Sequence, residues 1–96
     1  MNLKRKQKGK LIVSATHLGN VQDTPVRLVH SLSTANLLIF EEAKPARKLL
    51  KHANLTRSFS LFNEHQQKET IDQLYATLKN DEIALYVSDQ GCPGVA

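Results

Sequence analysis

Four short segments are spaced along the chain: apolar runs at residues 11–13, 37–40 and 83–87, and a weakly alternating segment at residues 58–62. Each has the length of a strand, and polar or turn-forming residues bound each one. The last run is continuously apolar, which is typical of a strand with both faces covered. The pattern predicts four strands, centred near Ile12, Ile39, Ser60 and Leu85.

Helical periodicity separates these runs. Asp23 followed by Pro25 is a helix-start signal, so a first helix is expected over about residues 24–32. Pro45 is expected to open a second helix. The third helix, which ends near Asn80, shows apolar residues at i, i+3, i+4 and i+7, namely Ile71, Leu74, Tyr75 and Leu78. Strands that alternate with crossover helices predict an α/β fold, a parallel twisted sheet of about four strands.

Ligands of parallel sheets bind beyond the carboxyl ends of the strands, so the four loops there are the candidate site. Gly91 and Gly94 could let the backbone approach a ligand, although a plain tight turn uses the same residues. Glu41 and Glu42 are adjacent and point in different directions, so we expect one of them at most to face the site. His65 is either a general base or a surface residue.

Two other chemistries are poorly supported. Cys92 is a weak candidate nucleophile, because the sequence marks no partner base. The four histidines and the single cysteine lack the short spacing of metal ligands, so no metal site is expected. A single cysteine also excludes an internal disulfide framework and suits a reducing compartment, so a cytoplasmic location is expected.

Length and charge refine this description. The 96 residues fit one domain, and the longest apolar run, residues 83–87, is far too short to span a membrane. The formal net charge is +4, but five of the thirteen Lys and Arg residues lie within the first ten positions. We therefore divide the chain into a basic arm, residues 1–9, and an α/β domain, residues 10–96. The arm is either a phosphate contact or a solvated tail.

Four ordered segments resemble motifs of a known family. Residues 15–20, Ala-Thr-His-Leu-Gly-Asn, match Ala-Thr-Pro-Ile-Gly-Asn, and residues 41–44, Glu-Glu-Ala-Lys, match Glu-Asp-Thr-Arg. Residues 62–66, Phe-Asn-Glu-His-Gln, echo Tyr-His-Glu-His-Asn. Residues 88–94, Ser-Asp-Gln-Gly-Cys-Pro-Gly, match Ser-Asp-Ala-Gly-Thr-Pro-Gly. The chain thus resembles the N-terminal domain of the tetrapyrrole methylase superfamily, in particular its ribosomal small-subunit RNA (cytidine-2′-O)-methyltransferase branch.

The resemblance implies a homodimeric methyltransferase that binds S-adenosyl-L-methionine in a cleft between two α/β domains. This chain would be the first domain, inactive by itself because the second is absent. The residues implied to bind the cofactor are His17, Asp89, Gly91, Cys92, Pro93 and Val95. Glu41 and His65 are the candidates for the base, and Glu42 and Lys44 for substrate contacts.

The acceptor implied by the resemblance is a ribose hydroxyl of ribosomal RNA or a tetrapyrrole. Lys44 replaces the family's Arg and lacks its bidentate fork, which leaves the choice of acceptor open. A second hypothesis is a non-catalytic α/β binding or dimerisation module. A phosphoacceptor receiver domain is disfavoured, because residues 15–17, Ala-Thr-His, place no acidic residue at the end of the first strand.

Overall fold

A parallel sheet forms the centre of the protein in the computed structural model, which describes residues 9–89. Its strands are β1 (Lys10–Thr16), β2 (Leu37–Phe40), β3 (Ser60–Leu61) and β4 (Ile83–Asp89). They lie in the order β1-β4-β2-β3, and all neighbours are parallel. The predicted α/β class, the number of strands and their centres are confirmed.

Three helices connect the strands: α1 (Val26–Thr34), α2 (Ala43–His52) and α3 (Gln67–Lys79). A single-turn 3-10 helix, Val21–Asp23, precedes α1. Helices α2 and α3 end the same way, with a residue at a φ of 61°, Asn54 and Asp81. This left-handed residue lets the backbone N–H groups that follow bond back to the last helical carbonyls, as in the bond from Leu55 to Leu50.

The predicted starts of two helices are wrong. Helix α1 begins two residues later than expected, because Asp23 belongs to the 3-10 helix and Pro25 takes the N-cap position. Helix α2 begins at Ala43, two residues before Pro45. A proline is tolerated there because the first N–H groups of a helix have no intrahelical acceptor.

The third strand is also shorter than the predicted residues 58–62. Only Ser60 and Leu61 pair with β2. The preceding residues are held by side chains instead of by the sheet. The Arg57 guanidinium donates a 2.8 Å hydrogen bond to the Leu32 carbonyl, and the Phe59 ring meets Phe40 edge-on, with the ring centres 5.6 Å apart.

The main core lies between one face of the sheet and helices α1 and α2. Register places Leu38 of β2 beside Leu85 of β4, and Phe40 beside Val87. These four side chains are fully buried. The helices contribute the apolar residues that cover them, which are Leu28, Leu32, Ala46, Leu49 and Leu50. The apolar residues of α2 are therefore used for packing, and so are Leu28 and Leu32 of α1, whereas Val26 at the start of α1 is 85% exposed.

The opposite face of the sheet is covered only in part. Helix α3 packs over β2, β3 and β4 and is fastened there by the Thr70 hydroxyl, which donates to the Leu61 carbonyl. The predicted apolar stripe of α3 is not fully covered, since Ile71 is 50% exposed and Tyr75 is 66% exposed. On β1, Val13 is 63% exposed. An apolar groove of about 180 Å³ remains between α3 and the sheet.

The helices of the described segment, residues 9–89, include none long and apolar enough to cross a lipid bilayer.

Truncation of Leu85 to alanine should lower the free energy of unfolding by about 2–5 kcal/mol, because the buried side chain leaves a cavity beneath α1 and α2. Val13→Ala is the matched control on β1, where the exposed side chain should make the loss less than about 1 kcal/mol. Urea denaturation measures both losses. Equal losses in the two variants would contradict this assignment of the core.

Candidate functional site

The carboxyl ends of the four strands lie along one edge of the sheet, and Glu41 stands at its centre. Glu41 directly follows β2 and is half-buried. Its Oε2 accepts a hydrogen bond of 2.7 Å from the Tyr86 hydroxyl, and its Oε1 accepts one of 3.4 Å from the Asp89 backbone N–H. A side chain at the end of β2 therefore binds β4 at two points.

Further hydrogen bonds extend from Glu41 towards both ends of this edge. On one side, the Asp89 Oδ1 accepts the backbone N–H of the buried Leu18 at 3.3 Å. On the other, the Asn63 amide nitrogen donates to the Glu41 carbonyl at 3.4 Å. The Asn63 Oδ1 accepts the backbone N–H of His65 at 3.0 Å. The loops that follow β1, β2 and β3 are thus joined with the last residue of β4 in one network.

Tyr86 supplies the donor at the centre of this network. Its ring meets Phe62 edge-on, with the ring centres 6.2 Å apart. Burial raises the pKa of the Tyr86 hydroxyl to about 12, helped by the hydrogen bond to Glu41 and by the negative charge of Glu41. The hydroxyl therefore keeps its proton at neutral pH, and Glu41 acts as the acceptor.

The structure joins some of the residues predicted for the site. Glu41 and Asp89 are in direct contact, and His65 is linked to Glu41 through Asn63. His17 is exposed and immediately precedes Leu18, so it lies at the same edge of the sheet.

Other predicted residues stand apart. Glu42 caps α2 without a side-chain hydrogen bond, and Lys44 is exposed in the first turn of that helix. Within residues 9–89 neither side chain bonds to the network. The remaining candidates for cofactor binding lie outside the described residues; they are Gly91, Cys92, Pro93 and Val95.

Sequence reasoning missed Tyr86, Asn63 and Leu18. Tyr86 lies within an apolar strand, so the hydrophobic pattern groups it with the core residues of that strand. Its hydroxyl was the available signal, because a buried hydroxyl needs a partner. Asn63 stands just before a helix, where an asparagine often accepts hydrogen bonds from the backbone that follows. Leu18 acts through its backbone N–H, which every residue type except proline carries.

The charge of this edge suits a cationic ligand. Three carboxylates lie here: Glu41 and Glu42 follow β2, and Asp89 is the last residue of β4. Gly19 lies in the neighbouring loop, and a methyl group added there would meet no atom within 4 Å, so the loop leaves room beside it. Among residues 9–89 no three His, Cys, Asp or Glu side chains form a group that could hold a metal ion.

The raised pKa of Tyr86 predicts a loss of stability at high pH. An unfolded tyrosine loses its proton near pH 10, whereas Tyr86 in the folded protein keeps it until about pH 12. The folded state then binds more protons, so the free energy of unfolding should fall as pH rises between these values. Urea denaturation at a series of pH values measures this slope.

Three variants test the cause of that slope. Tyr86→Phe should remove the part of the decrease in the free energy of unfolding that Tyr86 causes. Glu41→Gln removes the negative charge beside Tyr86, so the stability should fall over a narrower range of pH above 10. Tyr75→Phe replaces an exposed tyrosine on α3 and should leave the decrease unchanged. An unaltered slope in Tyr86→Phe would show that other groups cause it.

Comparison with known proteins gives a consistent set of relatives, although no protein-family model matches the chain. "Ribosomal RNA small subunit methyltransferase I" of Leptospira borgpetersenii serovar Hardjo-bovis is 33% identical over 93 residues, which cover 97% of this chain and 37% of the relative. The protein of that name from Thermotoga maritima is 30% identical over 88 residues, 92% of this chain and 40% of the relative.

The Synechocystis protein of the same name is 32% identical over 88 residues, 92% of this chain and 32% of the relative. The chain spans about a third to two-fifths of the length of these relatives. It is similar over nearly its whole length to curated proteins named as small-subunit ribosomal RNA methyltransferases.

Proposed function

We propose that this chain forms an α/β part of an S-adenosyl-L-methionine-dependent methyltransferase that modifies small-subunit ribosomal RNA. The observation that carries the proposal is the 33% identity over 93 residues to a protein with that printed name. The proposed methyl acceptor is a ribose hydroxyl of a cytidine, the acceptor of the branch that the motifs resemble. Ribosomal RNA is preferred to a tetrapyrrole because the relatives described above carry a ribosomal RNA name.

The chemistry of the site residues fits the cofactor. S-adenosyl-L-methionine carries a positively charged sulfur and an ammonium group, which suit an edge that holds three carboxylates. We propose that His17 and Asp89 contact the cofactor together with the backbone of the loop after β4, at Gly91, Cys92, Pro93 and Val95. The bond from Leu18 to the Asp89 carboxylate supports this grouping, because it holds the loop after β1 against the end of β4.

When bound, the cofactor supplies a methyl group that is already activated for transfer. The protein must then align the acceptor, exclude water and take up the proton of the acceptor hydroxyl. Glu41 and His65 are the proposed candidates for that base. Both Glu41 oxygens already accept hydrogen bonds, whereas the side chain of His65 is exposed and open to an acceptor hydroxyl. These contacts favour His65 as the base.

The other properties of the whole enzyme follow from the resemblance. We propose that a second α/β domain completes the cleft and that the protein acts as a cytoplasmic homodimer. Glu42 and Lys44 are the proposed substrate contacts, because they lie exposed at the start of α2 beside the edge where Glu41 stands. We expect residues 1–96 by themselves to transfer no methyl group to ribosomal RNA, since the proposed cleft requires the second domain.

Calorimetric titration with S-adenosyl-L-methionine tests the proposal. Gly91→Val should weaken cofactor binding more than about tenfold, roughly 1.4 kcal/mol, because a side chain would block the approach of the backbone. The matched control is Gly19→Ala, whose added methyl group meets no atom within 4 Å and should leave the fold intact.

A melting curve must accompany each titration, because a glycine substitution can also destabilise a loop. Unchanged affinity in a folded Gly91→Val protein would contradict the assignment of this loop. Absence of any binding by the unsubstituted protein in the presence of its second domain would contradict the proposed function.

A further inference from the structure

Helix α2 carries an uninterrupted cationic surface. Its ten residues contain no Asp or Glu, and their basic side chains, all exposed, are Lys44, Arg47, Lys48, Lys51 and His52. The apolar residues of the helix, Ala46, Leu49 and Leu50, are buried in the core. The outward face of α2 is therefore basic and lacks large apolar side chains.

The net charge of the domain does not reveal this basic surface. Residues 9–89 contain nine Lys and Arg residues, the thirteen of the chain less Lys4, Arg5, Lys6 and Lys8, and these balance nine Asp and Glu. Four of those nine cations are on α2. In this part of the chain no acidic side chain forms an ion pair with them, and the pair that does form, Lys68 with Asp72 at 3.5 Å, is on α3. The domain is thus neutral in sum and polarised in space.

Three lysines of α2 form a row that can lie along the phosphates of a nucleic-acid strand. Lys44, Lys48 and Lys51 follow one another at i, i+4 and i+7, which places them in one row along the helix. With a rise of about 1.5 Å per residue the row is roughly 10 Å long. Because each nucleotide of a strand carries one negatively charged phosphate, a row of this length can face more than one phosphate at once.

An open hollow of about 500 Å³ adjoins this row. The residues that line it include Arg47, Lys51, Arg57 and Phe59, which is partly buried against the core. The bond from Arg57 to the Leu32 carbonyl fixes that guanidinium in place. Cationic groups beside an aromatic ring are the combination that proteins use for unpaired RNA, whose phosphates and bases are both accessible.

We infer that the outward face of α2 is an RNA-binding surface, on which the lysine row and Arg47 contact phosphates. The inference rests on the proposed function and adds to it the path of the RNA, because α2 begins directly beyond Glu41 and leads away from the candidate site. An anionic membrane is a poorer partner. Helices that bind membranes by lying in the interface expose an apolar face, and the apolar face of α2 is buried.

The test is the affinity of the full 96-residue chain for a labelled hairpin of small-subunit ribosomal RNA, measured by fluorescence anisotropy over a range of salt concentrations. The triple variant Arg47→Gln, Lys48→Gln, Lys51→Gln should bind at least about tenfold more weakly at about 100 mM salt. The slope of log affinity against log salt should fall by about 2 to 3. The matched control removes the same charge elsewhere, through Lys10→Gln, Lys68→Gln and Lys79→Gln, and should lose less than about threefold.

The basic arm needs its own comparison. The same two triple variants are made in a chain in which Lys4, Arg5, Lys6 and Lys8 are all changed to Gln, and the difference between them should persist. Circular dichroism melting confirms that each variant is folded. Equal losses in the α2 variant and the control overturn the inference, as does an absence of RNA binding by the unsubstituted chain.

Two further outcomes separate the hypotheses. If the α2 variant loses binding to phosphatidylserine vesicles while its RNA affinity stays unchanged, the partner is a membrane and the inference is wrong. Calorimetric titration of the unsubstituted protein with S-adenosyl-L-methionine, in the presence of the proposed second domain, tests the proposed function independently. RNA binding that depends on α2 without cofactor binding would uphold this surface and reject the methyltransferase.

Discussion

The candidate site depends on the hydrogen bonds that the carboxylate of Glu41 accepts. Each of its oxygens accepts a hydrogen bond from β4, one from a side chain and one from the backbone. Because β2 and β4 are also neighbours in the sheet, this contact fixes the ends of two central strands relative to each other. The loops after β1 and β3 then join through Asp89 and Asn63. Loss of this carboxylate would remove both of these hydrogen bonds between the ends of β2 and β4.

The sequence predicts the fold well because hydrophobic periodicity records burial. The strand centred at Leu85 is continuously apolar and lies in the interior of the sheet, as its pattern indicates. Boundaries are less predictable, because competing local interactions decide them. Pro45 is accepted inside the first turn of α2, and the residues before β3 are held by Arg57 and Phe59 rather than by strand pairing.

The candidate site is only partly predictable, since its geometry depends on contacts between residues far apart in the chain. Loop position at the carboxyl ends of the strands identified Glu41 and Asp89. The partnership of Glu41 with Tyr86 spans 45 residues, and no local pattern encodes it. Charge behaves in the same way. The sum over the domain suggested neutrality, whereas the placement of residues on α2 concentrates positive charge on one face.

The pairing of β1 with β4 has a consequence for synthesis of the protein on the ribosome. Leu18 and Asp89, which are in contact, are 71 residues apart, and within residues 9–89 β4 is the one strand that pairs with β1. At about 5–20 residues per second, the first strand is synthesised roughly 4 to 14 s before its partner. During that interval its apolar residues are available to chaperones and to other nascent chains. Of the four strands, β1 is synthesised first, yet it can pair in the sheet only after β4 has been synthesised.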